Sequence, residues 1–506
     1  MKTDTANESN ADRLMREEHE AQMRAYRQSR RENRNAISKI PLMTALLLCA
    51  AAPASAQGKW VRDSIPASWQ MTPQAVQTLP TDDAWWRAFD DPVLDSLIDK
   101  AVGNNYNVAA AVKRIEMARK AVGEARAGYF PTIGLSGGWT KDREAGAIEG
   151  RSIPSRNSSY FSLGAQMNWE IDVFGRVREG VKAKKAAYDA SRADRDAVMV
   201  SLCANLATAY INLRVAQKQL QVAEAHIASQ EKIEKMTEAR FEAELASMLD
   251  VTQARVVLYN TRSALPSLRA EIKTLANTIS ILTGEYPGAL AARLRSDAPL
   301  PRFRHTLEVG VPADLLRRRP DIVEAEMQLG EYAAMAGVAR KDFLPALSLT
   351  GSIGTSAHRA GDLFGKNSLE YSIAPQLSWT LFDGMARNYR AAEARLQLES
   401  AVDSYNLTVM NAVEEVDNAM IEYDATLQAI ELQKSVVEQS EKSLTLSVDL
   451  YKTGLTAFSN VVDGQMNWLE SQNSLVALEG KALQALISIY QALGGGWEAY
   501  RDPVRP

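Results

Sequence analysis

Asp250, Asn460 and Asp463 each follow a short polar break in a long heptad-patterned stretch. One break is YKTGLTAFSNVVD, residues 451 to 463, and the other is FEAELASMLDVTQ, residues 241 to 253. The two stand 210 residues apart, with Phe241 at the place of Tyr451 and Leu245 at that of Leu455. Acids at a helix start serve the dipole and the cap, and that role suits Asp250 better than Asp463, which lies beyond the first turn. Repeated around a symmetry axis, the same side chains form an acidic ring that selects cations and can bind divalent ones. Crowding of such carboxylates favours their partial protonation.

A nucleophile is the other chemistry on offer, because Gly134, Ser136 and Gly138 satisfy GxSxG. That motif needs a strand-to-helix elbow and a downstream acid and histidine. Ser136 falls mid-strand, and His226, His305 and His358 have no motif context. No His, Cys or acid cluster has metal-ligand spacing. The chain reads as no enzyme, with no catalytic residue, metal or cofactor.

Local chemistry shapes the two breaks. Gly454 is a helix C′ residue, where glycine takes the left-handed conformation cheaply, and Thr456 or Ser459 is expected to cap the next helix. Ser247 to Asp250 is a capping-box-like start with Asp in place of Glu. Glu244 stands where the second copy has Gly454, so the first turn is expected to have a different shape.

The elements carrying these residues are built twice. ARAGYFP (125 to 131) matches ARKDFLP (339 to 345), and Trp169 matches Trp379 with four residues lost between. Insertions and deletions collect in loops, which places a hairpin in each half, at 131 to 172 and 345 to 382. Their flanks alternate: Phe161, Leu163, Ala165, Met167, Trp169 and Ile171 face one way, and Ser162, Gly164, Gln166 and Asn168 the other. Four strands of about ten residues suit a tilted bilayer crossing. Trp139, Trp169 and Trp379 are expected as interfacial anchors in outer-membrane lipid. Pro375 is expected to mark a bulge. Four strands cannot close a barrel and open edges are not tolerated in lipid, so several chains must pool their strands.

Elsewhere the period is seven. Val402, Val409, Val416, Tyr423, Ile430, Val437, Leu444 and Tyr451 form one series; Met199, Leu206, Leu213, Leu220, Ile227 and Phe241 form the other, broken by Glu234. Sustained heptads imply left-handed supercoiling. A helix from Arg176 to Ala243 would run about 100 Å, longer than a compact domain needs.

Composition agrees with export. Arg30, Arg31, Arg34 and Lys39 precede PLMTALLLCAAAPASA, which reads as a secretory leader cleaved after Ala56. Net charge is −4 over the 506 residues, which leaves no basic footprint for nucleic acid. Of the two cysteines, Cys49 sits in the leader, so no internal disulfide is expected. The organisation is therefore a leader at 1–56, a first repeat with its N-terminal segment at 57–288, a linker at 289–311, a second repeat at 312–495 and a tail at 496–506.

The most specific motifs are PADLLRRRPDIVEAE (312 to 326), ARKDFLPALSLTGSIG, NWEIDVFGR (168 to 176), YKTGL (451 to 455) and LTGEYPG (282 to 288). With them the chain resembles the TolC and OprM type of outer-membrane efflux channel over nearly all of 83 to 495, closest to the OprM branch. The resemblance implies an α+β membrane protein: a homotrimer whose twelve-stranded β-barrel, four strands per chain, continues into a long antiparallel coiled-coil α-helical barrel in the periplasm. It implies a periplasmic gate at Asp463, Asn460, Asp250 and Tyr451. It also implies a tip at Thr453, Gly454, Leu455, Leu245 and Ser247 that meets a periplasmic adaptor. An inner-membrane pump of the resistance-nodulation-division class would complete the assembly. Asn460 is neutral where some members carry an acid, and Thr456 stands where an arginine can lock the mouth. Leu48 precedes Cys49 where a lipoprotein has a small residue, so acylation is not expected. The alternatives are the outer-membrane channel of a type I secretion system and a passive porin; a periplasmic scaffold would leave the strands unexplained.

Overall fold

The computed structural model describes residues 84–143, 147–148, 151–152, 157–295, 299–303 and 318–500. The leader with Cys49, residues 57–83, His305 with part of the linker, residues 312–317 of the PADLLRRRPDIVEAE motif and residues 501–506 lie outside the described residues.

Two helices come first, α1 (Pro92–Asn104) and α2 (Tyr106–Ala127). Asp91 caps α1 by accepting from the amides of Val93 and Leu94, and Asn105 caps α2 by accepting from Asn107 and Val108. Then follow β1 (Thr132–Arg143), a two-residue pair β2 (Ala147–Ile148) and β3 (Arg151–Ser152), and β4 (Asn157–Ile171). The 67-residue α3 (Arg176–Glu242) leads to the 35-residue α4 (Met248–Leu282). The second half repeats the order with α5 (Pro320–Lys341), β5 (Ala346–Ala357), β6 (Leu369–Ser378), α6 (Ala386–Lys452, again 67 residues) and α7 (Phe458–Ala492, again 35).

The four long strands form one antiparallel sheet in the order β1-β4-β5-β6. Paired residues share a face, and the register puts Ile133, Leu135 and Trp139 on the same face as Phe161, Leu163 and Met167. Leu347, Leu349 and Ile353 join that face from β5, and Tyr371, Ile373 and Leu377 from β6. Ser136, Gln166, Ser352 and Gln376 share the other face. Gly164 faces Gly354 so closely that a Cβ on Gly354 would lie 2.8 Å from the Leu163 carbonyl oxygen. Pro375 pairs with Leu349 in an unbroken register, so the expected bulge is absent. Proline costs a strand only the ladder bond its nitrogen would donate, and β6 has a neighbour on one side only.

Each strand pair joins its long helix through a capped elbow. Asp172 accepts from the amides of Val177 and Arg178 at 3.0 and 2.9 Å, and Asp383 accepts from the Arg387 amide at 3.2 Å and from its Nε at 2.9 Å. Within the first hairpin, α3 and α4 are held in register by a ladder at seven-residue steps: Arg255, Arg262 and Arg269 pair with Glu238, Glu231 and Glu224.

The core sits where all the helices meet. Trp85 stacks on Tyr490 at 5.3 Å and Trp86 on Tyr500 at 5.9 Å. They join Leu206, Leu213, Val409, Val416 and Leu486 in one buried cluster. Asp91 Oδ2 accepts from the Tyr210 hydroxyl, which accepts from the buried Arg214; that guanidinium also donates to Gln217, whose amide donates to the Leu294 carbonyl. Arg319, the last arginine of the RRPDI motif, is buried against Asp321, Glu415 and the Ala492 carbonyl.

Candidate functional site

Both long helices end in the same turn. Past α3 the Leu245 amide donates to the Arg240 carbonyl at 2.8 Å; past α6 the Leu455 amide donates to Leu450 at 2.9 Å. Gly454 has φ +76° and Glu244 has φ +58°. The expectation of a different first turn is therefore corrected: the closing hydrogen bonds demand a left-handed C′ residue, and Glu244 adopts that conformation at a cost of about 1 kcal/mol.

The restarts differ instead. Ser247 caps α4, its Oγ accepting from the Asp250 amide at 3.3 Å and donating to Asp250 Oδ1 at 2.9 Å. At α7 the capping residue is Ala457, with no side-chain bond. Neither Thr456 nor Ser459 caps it: Thr456 Oγ1 accepts from Asn460 Nδ2 at 2.6 Å, and Ser459 lies inside the helix.

One contact ties the turns together. The Tyr451 hydroxyl donates to Asp250 Oδ2 at 2.9 Å, so both oxygens of Asp250 are engaged, one by its own cap and one by the other hairpin. The Tyr451 ring is buried and lies 5.0 Å from Phe458. Burial first, then the bond to Asp250, pushes its hydroxyl pKa up to about 12, so it remains a donor through all physiological pH. Arg240 adds a second tie, with its guanidinium 5.1 Å from the Tyr451 ring centroid and Nη1 donating to the Lys452 carbonyl at 2.6 Å.

Sequence reasoning missed Arg240. A basic residue in a helix's last turn suggests only a partner for the dipole, and its counterpart in the second copy is Leu450. Asn460 and Asp463 are exposed on α7, and among the described residues no hydrogen bond joins Asp463 to Asp250 or Tyr451. Leu245 (66% exposed) and Leu455 (75%) project from the turns, beside exposed Ser247, Thr453 and Gly454.

Two of the tryptophans do matching work. Trp169 Nε1 donates to the Tyr129 carbonyl and Trp379 Nε1 to the Phe343 carbonyl, each at 3.0 Å. Trp139 lies within β1, against Phe161 at 6.5 Å. Ser136 continues a straight strand opposite Gly164, without the elbow a hydrolase nucleophile needs.

Residues 97–285 and 311–495 match the family model for outer membrane efflux protein. This chain belongs to that family. It is 29% identical over 471 residues to the pyoverdine export outer membrane protein OpmQ of Pseudomonas putida, covering 91% of this chain and 97% of that protein. It is also 29% identical over 417 residues to nodulation protein T of Rhizobium leguminosarum bv. trifolii, covering 82% and 88%. The solved structure of the outer-membrane channel OprN superposes with a TM-score of 0.81 at 29% identity, covering 89% of this chain and all of that one. Members of this family are channels, not enzymes. The protein is an outer-membrane efflux channel, with its strands in the membrane and its long helices on the periplasmic side.

Proposed function

We propose that three copies of this efflux channel close a twelve-stranded barrel and a helical barrel around one water-filled axis. The assembly is the exit duct of a tripartite pump. One observation carries the reading: the sheet has two open edges, β1 and β6, and an exposed apolar face, an arrangement that lipid tolerates only when neighbouring chains cover the edges. The 620 Å³ groove between α5 and α6, lined by Tyr332, Tyr389 and Leu396, suits a neighbour's helix.

In this reading the turns are the inner mouth. Asp463 and Asn460 repeat around the axis as a polar ring, while Tyr451 and Asp250 hold the two hairpins in the closed arrangement. Leu245, Ser247, Thr453, Gly454 and Leu455 form the surface that meets a periplasmic adaptor, and engagement favours dilation. The inner-membrane partner is a pump of the resistance-nodulation-division class, as in the OprM branch. Trp139, Trp169 and Trp379 anchor the barrel at the membrane interfaces.

Native mass measurement in detergent and crosslinking through Leu455→Cys in cells test this together. A trimer and capture of an adaptor are expected. A monomer would overturn the duct, and a trimer that captures no periplasmic protein would leave a porin in its place.

A further inference from the structure

The buried core is not continuous along the long helices. The fully buried members of the main cluster end at Leu213 on α3, Ile430 on α6 and Ala482 on α7, with partly buried Val215, Leu475 and Leu478 packed just beyond. A separate cluster of Ile233, Ala254, Leu444, Tyr451, Phe458 and Val461 lies at the turns. Between them, past the buried Ala216, Ala223 and Val476, comes a polar level. His226 and Gln230 on α3 are 2% and 3% exposed, and Gln465 on α7 is 3% exposed. The His226 ring lies 4.3 Å from the Trp468 ring, and its Nε2 is 2.9 Å from Gln472 Oε1.

Among the described residues, four polar atoms at this level are buried without a protein partner: both side-chain polar atoms of Gln230, Gln465 Nε2 and Trp468 Nε1. Folded interiors satisfy such groups, and where protein does not, internal water with two to four polar partners does. The third helix is weakened at the same height. Pro266 lies within α4 between Arg262 and Arg269, whose ladder partners Glu231 and Glu224 bracket His226 and Gln230 on α3. Proline cannot donate to the carbonyl four residues before it and crowds that carbonyl.

We propose that this level is an internal hydration site that works as a hinge: ordered water binds among Gln230, Gln465 and the Trp468 indole, and the hairpin ends bend at this height. Apolar packing resists sliding because each displaced contact opens a void, whereas water-bridged amides exchange partners with little loss. A hydrated layer thus separates the tip cluster from the main core. This goes beyond the gating role assigned to the turns, since it concerns where the hairpins bend whatever opens them.

Hydrogen exchange on the full chain in detergent, read peptide by peptide, tests the hinge without a pump or a current. Amides in 233–260 and 444–463 should exchange at least tenfold faster than those in 199–213. The Gln230→Leu/Gln465→Leu double variant should slow them about tenfold by making the core continuous. Unchanged or faster exchange in the assembled variant overturns the hinge. Pro266→Ala, on the exposed side of α4, keeps the test decisive if the double variant fails to assemble: it should slow the same peptides, and no change would count against the proposal. A crystal structure that resolves solvent checks the hydration, where water among the three side chains supports it and a direct, dry Gln230–Gln465 bond refutes it.

Discussion

Tyr451→Phe removes one oxygen and leaves its surroundings intact. The ring still packs on Phe458 at 5.0 Å and under Arg240 at 5.1 Å, so the change isolates the 2.9 Å bond to Asp250. A hydrogen bond to a charged group is worth about 1.5–3 kcal/mol. Asp250 is only half-buried, which argues for the low end, about 1.5 kcal/mol, or roughly tenfold in an equilibrium. In a trimer whose mouths open together the three losses multiply to about a thousandfold. Single-channel recording in planar bilayers reads this directly: the variant should show frequent openings under conditions where the wild type stays shut. Asp250→Asn, which keeps an acceptor but loses the charge, should fall between them. A Tyr451→Phe trace identical to wild type would remove the bond from the gate, however good its geometry.

Four other outcomes follow from the same contacts. Asp463→Ala should raise closed-state conductance and weaken block by divalent cations, and an unchanged recording would take Asp463 out of the mouth. Glu244→Gly relieves a left-handed non-glycine residue and should stabilise the first turn by about 1 kcal/mol, seen as slower amide exchange across 240–248. Arg319→Met leaves the Ala492 carbonyl and two carboxylates without their buried cation; thermal unfolding followed by far-UV circular dichroism should show a loss of about 3 kcal/mol. Burial holds the His226 imidazole below its ordinary range, partly offset by Gln472, so the unfolded chain takes up its proton first. The stability this group contributes is complete above about pH 6.5 and is lost as pH falls toward the folded value, and His226→Leu should show less acid destabilisation than wild type in the same melts.

The features legible in the sequence were those with a period. Alternation along 160–171 and 369–378 marks strands because each side chain takes one of two faces, and the structure puts Phe161, Met167, Ile353 and Ile373 on one face. The heptad series of α6 also lands in the interior, with Val402, Val409, Val416, Tyr423 and Ile430 all buried. In α3 the series fails past Leu213, where Ala223, His226 and Gln230 are buried while Leu220 and Ile227 are half-exposed. A seven-residue series stays on one seam only while a helix supercoils about a single neighbour, and α3 packs against α2, α4, α5 and α7 in turn.

Sequence symmetry also hides where the two halves part. Phe241 and Tyr451 occupy matching places, yet Phe241 is 40% exposed and Tyr451 5%, because Arg240 and Asp250 of the first hairpin both reach across to the tyrosine. Likewise the ladder arginines Arg255 and Arg262 become Gln465 and Gln472 in the second copy. On α4 such residues pair with carboxylates of α3; on α7 Gln465 is buried and Gln472 lies 2.9 Å from His226 Nε2. The duplicated sequence supplies two hairpins of equal length, and the divergence at these few positions gives the first a ladder of ion pairs and the second a polar seam toward α3. Asp250 thus stands on the hairpin tied by its ion-pair ladder, and Tyr451 reaches it from the hairpin whose matching positions are uncharged.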